Sequence, residues 1–185
     1  MIRRSIQHMI EGRKPMDYVS LIRDIPNFPK EGIIFKDITP LLANGPALAA
    51  AVDDMAAPFK DKNIDLVVGI ESRGFIFGPG VARELGCGFA PVRKAGKLPY
   101  HTESLTYDLE YGTDTLEIHV DAVVEDHRIL IVDDLLATGG TAAAAGELIA
   151  KIGGIVSGFS FVIELDFLEG REKLGSIPIS TLIHY

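Results

Sequence analysis

The chain has 185 residues, 47% of them hydrophobic and 24% charged, which is enough to bury one sizeable core and suits a single globular domain. A net charge of -8 and a pI of about 5.1 argue against a general nucleic-acid or anionic-membrane binder, because those partners need a basic face. An anionic ligand would have to meet positive charge that is local. Cys87 is the one cysteine, which excludes an internal disulfide and a thiolate metal cluster and suits a reducing cytosol. No apolar run is long enough to cross a bilayer, and the first eight residues lack the apolar core and cleavage site of a secretory signal, so a cytoplasmic protein is expected.

In chain order, the residues to about Pro15 are polar and basic and read as a loosely held tail. Pro46–Phe59 reads as a helix, Ile64–Ile70 as a strand, Phe75–Leu85 as a helix and Phe89–Val92 as a strand. Leu98–Val120 then alternates polar and apolar residues around Gly112-Thr113-Asp114. That pattern predicts a two-stranded excursion, a hood with a flexible loop over about 95–120. Ile129–Val132 reads as a strand, Thr141–Ile152 as a helix ended by Gly153-Gly154, and Ile155–Ile163 and Ile179–His184 as further strands. Most of these strands are continuous apolar runs, as expected when both faces are buried. The order predicts an α/β fold: a mainly parallel twisted sheet flanked by helices, in one domain over 1–185.

Ile129–Thr141, ILIVDDLLATGGT, carries the chemistry. A strand, a short loop and a helix beginning at Gly140 or Thr141 aim free backbone N–H groups at one spot, which the helix dipole makes favourable for an anion. Thr138 and Thr141 add hydroxyls, and Gly139 and Gly140 allow close approach of the backbone. A phosphate fits there. Asp133 and Asp134 would repel it unless they serve vicinal hydroxyls or a hydrated Mg²⁺ instead. Phosphate, diol and metal together describe a ribose 5-phosphate; the plain alternative is that the aspartates only close the strand and the glycines only turn it. Other phosphate loops fit worse. A Walker A loop needs Lys where Gly140 stands, and Gly78-Pro79-Gly80-Val81-Ala82-Arg83 ends a would-be dinucleotide fingerprint in Arg83. His8, His101, His119, His127 and His184 are too scattered to make a metal-hydrolase site.

The run VDDLLATGGT resembles the phosphoribosyl-pyrophosphate motif of the type I phosphoribosyltransferases, a specific likeness because the apolar residues, both acids, Ala-Thr-Gly-Gly-Thr and the helix all match. Pro29–Leu42, Gly69–Phe75, Pro91–Pro99 and Tyr107–Gly112 resemble the adenine-specific members of that family, so the likeness extends from about Tyr18 to the end. It implies that adenine and phosphoribosyl pyrophosphate give AMP and pyrophosphate, with Mg²⁺ held mainly through pyrophosphate, ribose hydroxyls and water, in a homodimer.

On that resemblance, Ala137, Thr138, Gly139, Gly140 and Thr141 would cradle the 5-phosphate. Asp133 and Asp134 would hold the ribose hydroxyls and steady a cationic sugar. Glu71 and Ser72 would form the pyrophosphate loop, across a non-proline cis peptide that relatives hold there. Arg73, Arg93 and Lys97 would neutralise pyrophosphate, with Lys94 assisting from the rim or from a neighbouring subunit. Ile34, Phe35 and Lys36 would line the base, Lys36 through its main chain. Glu110 would act as acid or base near N7 of adenine, and Tyr111 would close the site. Taken without the resemblance, Arg73 and Lys97 could be solvated cations, Phe35 a core residue and Glu110 a solvent-facing charge. Ala95 and Tyr100 depart from relatives, which often carry bulkier or basic residues at those places. Two rival classes remain: a transferase for another base, and a regulator that binds nucleotide without chemistry.

Overall fold

The computed structural model describes residues 16–108 and 112–185. Backbone contacts divide the chain into two units, one ending at Ala50 and the other spanning Ala51–Tyr185. The expected tail to Pro15, and Leu109, Glu110 and Tyr111, lie outside the described residues.

In the first unit, β1 (Arg23–Pro26) and β2 (Ile34–Asp37) pair antiparallel. The register sets opposite charges across the ladder: Arg23 faces Asp37 at 3.5 Å and Lys36 faces Asp24 at 2.8 Å. Phe28 meets Phe35 edge to face, with ring centroids 5.2 Å apart. Asp37 then accepts the Thr39 N–H at 2.9 Å and the Thr39 hydroxyl at 2.8 Å, which starts the short helix α1 (Thr39–Ala43). Helix α2 (Gly45–Ala56) begins within this unit and continues past Ala50, with the Ala47 N–H donating to Asn44 Oδ1 at 3.2 Å.

The second unit is built on a seven-stranded sheet. Its strands are β3 (Leu66–Ile70), β4 (Gly88–Lys94), β5 (Thr102–Asp108), β6 (Thr113–His119), β7 (Arg128–Leu136), β8 (Ile155–Glu164) and β9 (Ile179–His184), in the order β5-β6-β4-β3-β7-β8-β9. The run β4-β3-β7-β8-β9 is parallel, while β6 pairs antiparallel with both β4 and β5. Helix α3 (Gly74–Leu85) joins β3 to β4, and α4 (Gly140–Lys151) joins β7 to β8. All five residues of β3 are buried, as is most of β7, as the continuous apolar runs require. The core is closed by Ile118, Leu148, Phe159 and Phe161, each worth about 1.5–3 kcal/mol when fully buried. The mainly parallel sheet and the antiparallel excursion thus match the expected fold. No helix among the described residues is long and apolar enough to cross a membrane.

Two features of the sheet position the site. From β3 the chain moves to β4 on one side, and β7 lies on the other, so the carboxyl ends of β3 and β7 form the point where open α/β sheets bind ligands. The last β3–β7 pair is Gly69 with Val132, whereas β7 runs on to Leu136. Asp133–Leu136 therefore overhangs β3 and pairs only with β8. The two aspartates lie inside the last stretch of the strand rather than at its end.

Candidate functional site

Beyond Leu136 the chain turns through Ala137, Thr138 and Gly139 into α4. A cavity of about 160 Å³ opens at this turn, lined by Asp133 and the run 135–142. The first N–H groups of α4 have no partner within the helix, and the Thr138 and Thr141 side chains stand at the same cavity. The structure thus gathers Ala137, Thr138, Gly139, Gly140 and Thr141 around one space suited to a phosphate.

Gly139 is required here for two reasons. Its φ of +77° lies in the left-handed region, and a Cβ would collide with the Gly170 carbonyl oxygen. Gly170 is equally confined, since its own Cβ would meet the Ala137 carbonyl oxygen and the Gly139 nitrogen. The turn carrying Gly170 is fastened by Arg171, whose guanidinium donates to Glu164 at 2.7 and 2.6 Å. Glu164 is buried and pairs in register with Leu136, so this fork stands beside the last residue of β7, where the turn begins.

Of the two aspartates, Asp133 lines the cavity, half-buried, and its Oδ1 accepts the Asp134 N–H at 2.9 Å. Asp134 is buried, and its Oδ2 lies 3.0 Å from Arg73 Nε in an ion pair that lacks hydrogen-bond alignment. Burial pushes the Asp133 carboxyl well above the ordinary carboxylate range and the Asp134 charge adds to this, with only partial opposition from the Asp134 N–H and Arg73. Burial raises Asp134 as well, offset in part by the Arg73 guanidinium. Two coupled acids held in this way gain from a cation arriving beside them.

Glu71, Ser72 and Arg73 leave the carboxyl end of β3, and the Glu71–Ser72 peptide is cis, as the resemblance implies. The nearly buried Glu71 carboxylate accepts Arg93 Nε at 3.2 Å, the Lys94 N–H at 3.1 Å and the Lys97 ammonium. Burial alone would raise its pKa, but the bonds from Lys97, Lys94 and Arg93 outweigh it and hold the carboxyl below the ordinary range. Arg93 also donates to the Lys97 carbonyl at 3.2 Å, so both cations are gathered on one acid. Lys94 pairs instead with Asp114 of β6 at 2.9 Å, which raises its own pKa and lowers that of Asp114.

Ile34, Phe35 and Lys36 lie on β2 in the first unit. Ile34 is exposed, Phe35 meets Phe28 edge to face, and the Lys36 amine is taken up by Asp24. Glu110 and Tyr111 fall outside the described residues. The sequence-based assignment missed Tyr107, Asp114, Gly170 and the Glu164–Arg171 fork. Glu164 alone left a signal: it closes an apolar run, as Asp133 does.

A parallel sheet whose switch point joins a phosphate-sized helix N-terminus, a buried acid pair and a cluster of cations defines a sugar-phosphate-binding α/β protein. The profile of the phosphoribosyl transferase domain matches residues 41–161. The adenine phosphoribosyltransferase of Koribacter versatilis is 57% identical over 164 residues, 89% of this chain and 90% of that protein. The adenine phosphoribosyltransferase of Thermoanaerobacter pseudethanolicus has a solved structure at TM-score 0.89 and 51% identity, covering 91% of this chain and 98% of that one. A Saccharomyces cerevisiae relative, solved with adenine and D-2,5-dideoxy-2,5-imino-altritol 1,6-bisphosphate, reaches TM-score 0.84 at 45% identity and covers 90% and 96%. The chain belongs to the adenine phosphoribosyltransferase family.

Proposed function

We propose that this protein transfers the 5-phosphoribosyl group of phosphoribosyl pyrophosphate to adenine, giving AMP and pyrophosphate, and so salvages a free purine. The observation that carries the proposal is the cavity at the start of α4, ringed by Ala137–Thr141 with Asp133 at its edge, in a chain of this family. The 5-phosphate binds in that cavity, and Asp133 faces the ribose. The adenine N9 lone pair forms a bond to C1′ as the C1′–O bond breaks, and pyrophosphate leaves with the electron pair. A proton leaves the base, and Glu110 accepts it near N7.

Positive charge grows on the sugar in that transition state, and the raised, coupled pair Asp133 and Asp134 gains by meeting it. Arg73, Arg93 and Lys97 receive pyrophosphate, Glu71 keeping Arg93 and Lys97 in place beforehand. Ser72 offers its backbone there, and Lys94 acts at the rim or across a dimer. Ile34, Phe35 and the Lys36 main chain take the base, and Tyr111 closes over it. The whole acts as one phosphoribosyltransferase domain, in a cytoplasmic homodimer.

Mg²⁺ fits this donor set in one way only. The cavity offers one carboxylate and hydroxyls, which suits a hydrated ion carried by the pyrophosphate and ribose oxygens of the substrate. When bound there it would neutralise charge on the leaving pyrophosphate. Among the described residues, the three side chains grouped closely enough to chelate are Glu164, Asp166 and His184, and Glu164 already holds Arg171.

The deciding experiment assays nucleotide formation from phosphoribosyl pyrophosphate with adenine, hypoxanthine, guanine and xanthine in turn. Adenine is expected to be the substrate, and comparable turnover of an oxopurine would overturn the assignment.

A further inference from the structure

Tyr107, on β5, has no role in the transfer as described so far. Its ring packs against the main apolar cluster, and its hydroxyl lies 3.2 Å from Thr141 Oγ1 at the second residue of α4. Burial pushes the phenol pKa up and keeps the group protonated at any working pH. Each hydroxyl has one proton, and either can donate in the bond between them. An anion in the cavity would decide the direction, because Thr141 lines that cavity and would turn its proton toward the anion. Its oxygen is then open to accept from Tyr107. Without such a partner, the Thr141 side chain, at the second residue of the helix, is free to divide its χ1 among staggered wells. Rotation out of the well that faces the cavity would take the Thr141 proton away from it.

We infer that Tyr107 is a positioning residue for the 5-phosphate: its hydroxyl donates to Thr141 Oγ1 and fixes the rotamer in which Thr141 donates to the phosphate. This assignment rests on the phosphoribosyl transfer proposed above. Removing the hydroxyl should not release β5, because the strand is held to α4 at the far end as well. There the Lys151 ammonium donates to the Glu103 carboxylate and to the Ser104 carbonyl. The loss should therefore fall on Thr141 alone.

The test is Tyr107→Phe, with phosphoribosyl pyrophosphate titrated directly and steady-state kinetics measured beside it. Affinity for phosphoribosyl pyrophosphate is expected to weaken about three- to ten-fold, the usual worth of one neutral hydrogen bond, with kcat and the KM for adenine within about two-fold of the parent. In a Thr141→Val background, Tyr107→Phe should cost nothing further. A hydroxyl that is merely satisfied would give the opposite result, a lower Tm with unchanged affinity, and would overturn the inference. So would an equal loss in the Thr141→Val background, which would mean that Tyr107 acts without Thr141. A parent protein that binds no phosphoribosyl pyrophosphate would remove the transfer assignment and this one together, whereas a parent that binds it as tightly as Tyr107→Phe does removes only this one.

Discussion

Gly139 and Gly140 are adjacent in the phosphate turn, and the structure separates what each does. Gly140 opens α4, where a Cβ would lie 3.7 Å from the Asp108 carbonyl oxygen and 4.0 Å from Thr138 Oγ1, both ordinary contacts. Gly140→Ala should therefore fold normally. Relief of glycine's backbone entropy is worth about 0.4–1 kcal/mol, a Tm rise of roughly 1–4 °C in a chain of this length. The same methyl group is added to the lining of a cavity of about 160 Å³, where the phosphate is proposed to approach the backbone. A displaced charge-assisted bond costs about 1.5–3 kcal/mol, so the KM for phosphoribosyl pyrophosphate should rise by roughly 10- to 150-fold with the KM for adenine unchanged. Gly139→Ala is a different perturbation. The left-handed φ costs about 1–2 kcal/mol, and the Cβ meets the Gly170 backbone, so this variant should lose several degrees of Tm whether or not phosphate is present. Substitution at Gly139 thus confounds binding with folding, and substitution at Gly140 does not. The assays are steady-state kinetics and thermal unfolding of both variants. A Gly140→Ala enzyme whose KM for phosphoribosyl pyrophosphate stays within two-fold of the parent would place the phosphate outside this cavity.

Three further outcomes are expected. Glu110→Gln keeps shape and loses the capacity to accept a proton, so kcat should fall by roughly 10²–10⁴-fold while titrated affinity for phosphoribosyl pyrophosphate is retained; a kcat within a few-fold of the parent would reduce Glu110 to a contact. The folded-state pKa of Asp133 lies above its unfolded value, so its ionisation subtracts stability as pH rises through that window, and ligand-free Asp133→Asn should melt above the parent at pH 8, with the gap closing toward pH 4. A gap that widens on acidification would contradict that sign. Arg171→Ala leaves the buried Glu164 without its fork and should cost about 1–2 kcal/mol, the guanidinium being partly exposed; Arg171→Lys should recover only part of the lost Tm, and full recovery would show that two-pronged geometry is immaterial.

What was legible in the chain followed from how local the cause was. Strands β3, β7 and β8 stand out as apolar runs because both faces are buried, and the turn from Ala137 to Thr141 is legible because the N–H groups and hydroxyls suited to an anion fall within five neighbouring residues. The hairpin of β1 and β2 was not assigned as strands. Each has only four residues, those of β1 mostly exposed, and their register sets Arg23 against Asp37 and Asp24 against Lys36 rather than following an apolar alternation. Within the site, the missing information was of the same kind. Arg93 and Lys97 are recognisable as cations, but Glu71, the acid that gathers them, is 22 and 26 residues away, and Tyr107 is 34 residues from Thr141. The adjacent aspartates are the instructive case. Successive strand residues point to opposite faces, so a neighbouring pair cannot be expected to address one ligand in the same way. Asp133 stands at the cavity and Asp134 is drawn to Arg73, and that division follows from a period of two that the sequence already contained. The partner on each side did not follow from it, because Arg73 reaches Asp134 only once β3 and β7 lie side by side.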